Sequence, residues 1–122
     1  MKTLKIGNIT VSLIDKNTII SNSHEILDIM ASTRYNEDCD NVGMIIHEES
    51  LGDKFFDLKT RFAGELLQKF SNYNMSLVIV GDFAKYKSKS LRDFIRECNR
   101  GNQVFFLPSI EDGIAKYETM HS

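Results

Sequence analysis

Three short apolar runs constrain this chain more than any other feature. VGMIIH (42–47), MSLVIVGD (75–82) and QVFFLP (103–108) are apolar at successive positions, so both faces of each strand must be covered. Central strands of an α/β sheet have this character, whereas a half-solvated strand alternates. Between and after the runs, apolar residues switch to helical spacing. Phe62, Ala63, Leu66, Leu67 and Phe70 form one stripe; Leu91, Phe94, Ile95 and Cys98 form a second; Ile110, Ile114, Ala115 and Tyr117 form a third. Strands alternating with helices predict a largely parallel sheet with right-handed crossovers and helices packed upon it.

Upstream, ITVSLI (9–14) alternates and suits a half-buried strand. Asp15-Lys16-Asn17 reads as a turn and TII (18–20) as a short return strand, giving an antiparallel hairpin. A helix then begins near Asn22 and Glu25, or at Ser23, with Ile26, Leu27, Met30 and Arg34 at helical spacing. The expected order is β-β-α-β-α-β-α-β-α. EESLGDKFFDLKT reads mostly as loop anchored by Phe55 and Phe56, with Asp57 or Thr60 capping the helix that follows. Ser90 with Asp93 forms a capping box, Gly101 is the C′ residue, and Ser109 with Asp112 opens the closing helix. Gly113 weakens that last helix by about 1 kcal/mol relative to alanine.

The 122 residues fit one domain, 1–122, without linker or repeat, and 42% hydrophobic content suffices for a core. A net charge of -2 gives no global pull toward nucleic acid or an anionic membrane. Locally the charge is uneven. Residues 37–57 carry Glu37, Asp38, Asp40, Glu48, Glu49, Asp53 and Asp57 against Lys54; residues 85–100 carry Lys85, Lys87, Lys89, Arg92, Arg96 and Arg100 against Asp93 and Glu97. Cys39 and Cys98 have no CxxC spacing; Cys98 falls on an apolar helix face and Cys39 in an acidic loop that blunts its thiolate. MKTLKIGNITVSLIDK lacks the apolar core of a signal peptide, and no run reaches the roughly 20 apolar residues of a membrane span. The expectation is a soluble protein of a reducing compartment, the cytoplasm.

Two family resemblances attach to quoted stretches. GNQVFFLPSIEDGIAKY and KFFDLKTRFAGELLQKF resemble STAS domains, the sulfate-transporter and anti-sigma-factor-antagonist fold. Aligning Gly64 puts Thr60 where that family's phosphorylatable serine tends to sit. Asp57 is too far upstream, however, and Lys59 and Arg61 replace the small residues around that serine. Over nearly the whole chain, DKFFDLKTRFAGELLQKFSNY, LVIVGDFAKYKSKSLRDFIRE and NRGNQVFF resemble the bacterial family named domain of unknown function 4180. That resemblance implies a bacterial protein and assigns no activity. The STAS likeness implies a STAS-like, mixed and mostly parallel α/β architecture.

LVIVGDFAKYKSKSLRD (77–93) is the stretch most like a phosphate cradle. After Gly81 there is no second glycine, so neither a P-loop nor a dinucleotide fingerprint is present. Ligands in open parallel sheets bind outside the carboxyl ends of the strands. Those ends carry His47-Glu48 and Gly81-Asp82, beside helix starts at Thr60 and Ser90 that Lys59, Arg61 and Lys89 make more cationic. A small anionic ligand or a partner protein is expected there, on Lys59, Thr60, Asp82, Lys89 and Ser90. Thr60 is either an N-cap, a ligand contact or a phosphorylation site. Arg92, Arg96 and Arg100 recur at i, i+4, i+8 and suit docking of an acidic face, including that of a second copy. Poor aromatic interleaving argues against nucleic acid. The alternative is a small enzyme using His47, Asp57 and Asp82 for acid–base chemistry, although no nucleophile motif accompanies them. Asp38, Asp40, Gly43 and Glu49 match calcium-loop positions, but Val42 breaks the pattern and 42–47 is needed as a strand. His24, His47 and His121 lack zinc spacing, and no cofactor is implied.

Overall fold

The computed structural model describes residues 2–37 and 42–120. The chain opens with an antiparallel hairpin, β1 (Lys2–Ile6) and β2 (Ile9–Leu13), in which Ile6 faces Ile9. The two-residue Gly7-Asn8 loop turns it, with Gly7 at φ 60°. This corrects the expected hairpin, since the partner strand lies upstream of residue 9. Residues 18–20 form no strand and lie outside the sheet, held by Ile20 N donating to Ser50 O at 2.7 Å. The expected turn at Asp15 forms, closed by Thr18 N on Asp15 O.

Then follow α1 (Ser23–Glu37), β3 (Val42–His47), α2 (Glu48–Phe56), a 3-10 turn (Leu58–Thr60) and α3 (Phe62–Asn72). The chain continues with β4 (Ser76–Val80), a second 3-10 turn (Phe83–Lys85), α4 (Lys89–Arg100), β5 (Val104–Leu107) and α5 (Ile110–Met120). α2 occupies the stretch expected to be loop. Gly52, at φ 70° and ψ -176°, interrupts it and breaks the apolar periodicity by which a helix would be recognised.

The fold is α/β with a five-stranded mixed sheet in the order β1-β2-β3-β4-β5, parallel from β2 onward. Every crossover steps the same way, so right-handedness sends α1 to α4 to one face. Met44, Ile46, Leu77, Ile79, Val104 and Phe106 meet Ile26, Phe55, Leu66, Phe70 and Leu91 there. The alternate residues Ile9, Val11, Ile45, Val78, Val80 and Phe105 pack with Tyr117 of α5 on the other face. Gly113 has a packing role: a Cβ on it would stand 3.1 Å from Val78 Cγ1 and 3.3 Å from Ile45 Cδ1. The Tyr117 hydroxyl donates to Met44 O and accepts from Met44 N, both at 3.1 Å, and from Ser76 Oγ at 3.2 Å.

Helix starts follow the side chains that can satisfy free N–H groups. Asn22 Oδ1 accepts from Glu25 N, and Glu25 reaches back to Ser21 N and the Asn22 amide. Ser109 Oγ accepts from Asp112 N. In α4 the cap is Ser88, whose Oγ accepts from Leu91 N at 3.3 Å, and Ser90 is already helical. Gly101, at φ -84°, ends α4 without the left-handed turn expected of a C′ glycine. At the free edge of β5, Asn99 of α4 accepts from Phe106 N at 2.7 Å and donates to Phe106 O at 3.3 Å. Its amide thus occupies the place of a neighbouring strand.

Asp38, Cys39, Asp40 and His121, and the Glu37 side chain, lie outside what is described. No helix among the described residues is long and apolar enough to cross a membrane.

Candidate functional site

Three parallel strands end in register: His47 pairs with Val80, and Val80 with Leu107. The chain leaves this row as Glu48, Gly81 and Pro108, and a cleft of about 550 Å³ opens above it. Its walls are Val80, Phe83, Phe106, Leu107 and Pro108; its polar groups come from Lys16, His47, Glu48, Glu49 and Asp82. Another concavity, of about 400 Å³, lies at the amino ends of the strands and is lined by Ser71, Asn74, Ser76, Asn102 and Gln103 without a charged side chain. The carboxyl rim is the side on which open α/β sheets place ligands.

Glu48 organises the rim. It is the first residue of α2, and only 7% exposed. Its Oε1 accepts from Asp82 N at 3.1 Å and from Lys85 Nζ at 3.0 Å, and its Oε2 accepts from the Tyr86 hydroxyl at 3.0 Å. One carboxylate therefore fastens three donors of the segment following β4. The Lys85 ammonium is held charged above its ordinary range, chiefly by the Glu48 hydrogen bond. Burial, and then the same carboxylate, push the Tyr86 phenol far upward, so it stays a donor. Tyr86 stacks on Phe56 at 4.8 Å between centroids, and Phe83 stands edge-on to Phe106 at 5.2 Å. This aromatic cluster carries the rim on the helix-bearing side.

The structure brings together some of the residues singled out in the sequence. Asp82 and His47 both line the cleft. Asp82 also caps its own 3-10 turn, with Oδ1 accepting from Ala84 N at 3.2 Å. Asp57 does the same for Lys59 N at 3.1 Å, so the two aspartates are equivalent devices on successive connections. The Phe56–Tyr86 stack brings the end of α2 against the segment after β4, yet Asp57, Lys59 and Thr60 do not line the cleft. The Thr60 hydroxyl lies 2.7 Å from Lys54 O and 2.8 Å from Asp57 O and accepts from Phe62 N, closing the turn between α2 and α3. Lys89 pairs with Asp93 at 3.3 Å, its side chain almost wholly exposed; neither it nor Ser90 lines the cleft.

Arg92, Arg96 and Arg100 line a separate groove of about 370 Å³ with Phe83, Ile95 and Asn99. Phe83 therefore forms a wall of both concavities. Cys98 is half-buried in α4, and burial with the Glu97 charge raises its thiol to about 11, which keeps it protonated. No group of three His, Cys, Asp or Glu side chains among the described residues could hold a metal ion.

Glu48, Lys85 and Tyr86 escape a reading by motif. The one legible sign is a glutamate placed immediately after an apolar run, where a strand end turns into a helix.

A family model described as Domain of unknown function (DUF4180) matches residues 6–117. The chain belongs to this family. Neither a curated protein nor a solved structure matches it. The comparisons lend no support to the STAS likeness.

Proposed function

We propose that the chain is a non-catalytic binding domain of regulatory character, working in the bacterial cytoplasm and taking a small ligand in the carboxyl-rim cleft. The carrying observation is the Glu48 network: it builds a fixed, partly apolar recess at the strand ends and spends both carboxylate oxygens on protein donors. A group engaged in this way holds a wall in place and has little capacity left for proton transfer. The volume suits a small molecule. Lining carboxylates outnumber lining ammonium groups: Glu48, Glu49 and Asp82 stand against Lys16, with Lys85 reaching in to Glu48. That balance favours a neutral or cationic ligand with donors over the anion suggested by the helix starts alone.

The alternative acid–base enzyme draws support from His47 and Asp82 sharing the cleft, and none from Asp57, which caps Lys59 away from it. Screening small amines, amino acids and nucleosides by thermal shift and native mass spectrometry tests the binding reading. The expected result is a compound that stabilises the native chain and no longer binds Leu107→Trp, whose side chain fills the recess. Absence of any binder, or undiminished binding by that variant, would overturn it. Turnover of a bound compound that disappears in Asp82→Asn, while binding persists, would favour the enzyme.

A further inference from the structure

α4 stands at the end of the helix-bearing layer. It joins the last two strands of a sheet whose spatial order is the chain's order, so no crossover helix lies beyond it among the described residues. Its burial is correspondingly thin: Leu91 alone is buried, whereas α3 buries Phe62, Ala63, Leu66 and Phe70. Asn99, bonded to Phe106 at the free edge of β5, marks the face of α4 that looks outward along the sheet. Arg92, Ile95, Arg96 and Arg100 share that face at helical spacing, and with Phe83 they line a groove of about 370 Å³.

The groove carries one sign of charge, with no acidic side chain among its described lining residues. Asp93 and Glu97 reach Arg96 at 3.5 Å and Arg100 at 3.4 Å from outside it, on side chains open to solvent. Exposed pairs of this kind contribute little, and their arginines exchange partners readily. Arg92 enters no ion pair among the described residues. Half-buried Ile95 and Phe83 give the groove its apolar part.

Charge complementarity calls for carboxylates, and the spacing indicates how they are carried. Four residues of helix rise about 6 Å, so the three arginines spring from points about 6 Å apart in a line. A helix with acids at i, i+4 and i+8 repeats that interval and sets apolar residues at i+3 and i+7 on the same face. An extended strand with alternate acids comes close, at about 6.8 Å, but turns the residues between them away from Ile95 and Phe83.

We propose that this face of α4 docks an acidic amphipathic helix of a partner protein, its carboxylates on Arg92, Arg96 and Arg100 and its apolar side chains on Ile95 and Phe83. The partner extends the layer by one helix and covers the side of α4 that this chain leaves open. In such a helix-in-groove contact the apolar anchors hold the complex and the charges set register and speed of encounter. The groove is separate from the carboxyl-rim cleft, although Phe83 borders both, and docking does not require the cleft to be filled.

Fluorescence anisotropy of the full chain with a labelled synthetic peptide tests this. The peptide is an alanine-based helix with glutamate at i, i+4 and i+8 and leucine at i+3 and i+7; its control has the same composition with the stripe scattered around the helix. The striped peptide should bind at least about tenfold more tightly than the scattered one. Its binding should weaken by a similar factor at about 1 M salt, where the screening length falls to about 3 Å. Arg92→Glu with Arg96→Glu, which touches no cap or core residue, should lose the peptide and keep native circular dichroism. Lys2→Glu with Lys5→Glu makes the same change of net charge on β1, at the far edge of the sheet, and should leave binding unaltered. No binding of the striped peptide, equal affinity for both peptides, binding that survives the arginine reversals, or an equal loss with the lysine reversals would each overturn the proposal. So would a short single-stranded RNA that binds more tightly than the peptide, or self-association that the arginine reversals abolish, since either gives the groove a different occupant.

Discussion

Glu48 and Gly81 touch across the β3–β4 seam, so closely that a Cβ on Gly81 would stand 2.6 Å from Glu48 Cδ. The carboxylate is held there by donors from Asp82, Lys85 and Tyr86, and it has nowhere to move. Glu48→Ala is expected to destabilise the fold by about 2–3 kcal/mol, less than a sealed ion pair costs, because the half-exposed Lys85 side chain turns to water. Glu48→Gln should lose about half as much, since one acceptor oxygen survives. Gly81→Ala should cost about 1–3 kcal/mol in the wild type and markedly less beside Glu48→Ala. Urea unfolding of the four chains checks this; additive effects would mean that the contact is not felt.

Tyr117 fills the space over Gly43, where a Cβ would come within 2.6 Å of its hydroxyl. Gly43→Ala is therefore expected to be more damaging than Tyr117→Phe. The phenylalanine variant should lose about 1–3 kcal/mol through unsatisfied buried polar groups. Thermal unfolding that ranks the two in the opposite order would contradict this packing.

Alkaline pH should weaken the protein. Burial raises Tyr117 to about 12 and Cys98 to about 11, from 10.0 and 9.0, and Tyr86 moves the same way. These acids bind protons more tightly folded than unfolded, so their contribution is complete below pH 9 and declines as pH rises through the folded values. Stability measured by denaturant between pH 8 and pH 12 should fall, beginning with the Cys98 window from 9 to 11 and continuing through the Tyr117 window from 10 to 12. Tyr117→Phe should flatten the later part of that fall.

Two backbone positions near α2 should respond in opposite directions. Gly52 adopts φ 70° with ψ -176°, which side chains do not tolerate, and there is open space around its Cα. Gly52→Ala should cost about 1–3 kcal/mol through conformation alone. Arg61 is left-handed at φ 64°, and Arg61→Gly should stabilise by about 1 kcal/mol. Equal melting temperatures for the two variants would refute this pairing.

Asn99→Ala should uncover Phe106 N and O on the β5 edge. The expected loss is about 1 kcal/mol, together with salt-insensitive self-association through the bared edge, visible by light scattering. A variant that stays as dispersed as the wild type would show that α4 guards the edge by other means.

The apolar runs at 42–47, 75–82 and 103–108 carried the parallel sheet, because a strand covered on both faces can be read from its own residues. β1 carries no apolar signal, since KTLKI is largely exposed at the sheet's edge, and Asp15-Lys16-Asn17 is as strong a turn signal as Gly7-Asn8, which makes the hairpin. Ser88 and Ser90 are both able caps, and the choice between them depends on Leu91 going inward. At the rim, Asp82 and His47 follow from strand ends alone. The grip of Glu48 on three donors does not, since it requires two connections distant in sequence to arrive at one glycine.

The sheet's spatial order repeats the chain's own order. Each strand after the first therefore pairs with the strand that precedes it in the chain. Without Tyr117 of α5, the face bearing Val11, Ile45, Val78 and Phe105 stands bare. α5 is thus the lid on that face of the sheet, and a chain cut before residue 110 would present that apolar surface to chaperones or to other copies.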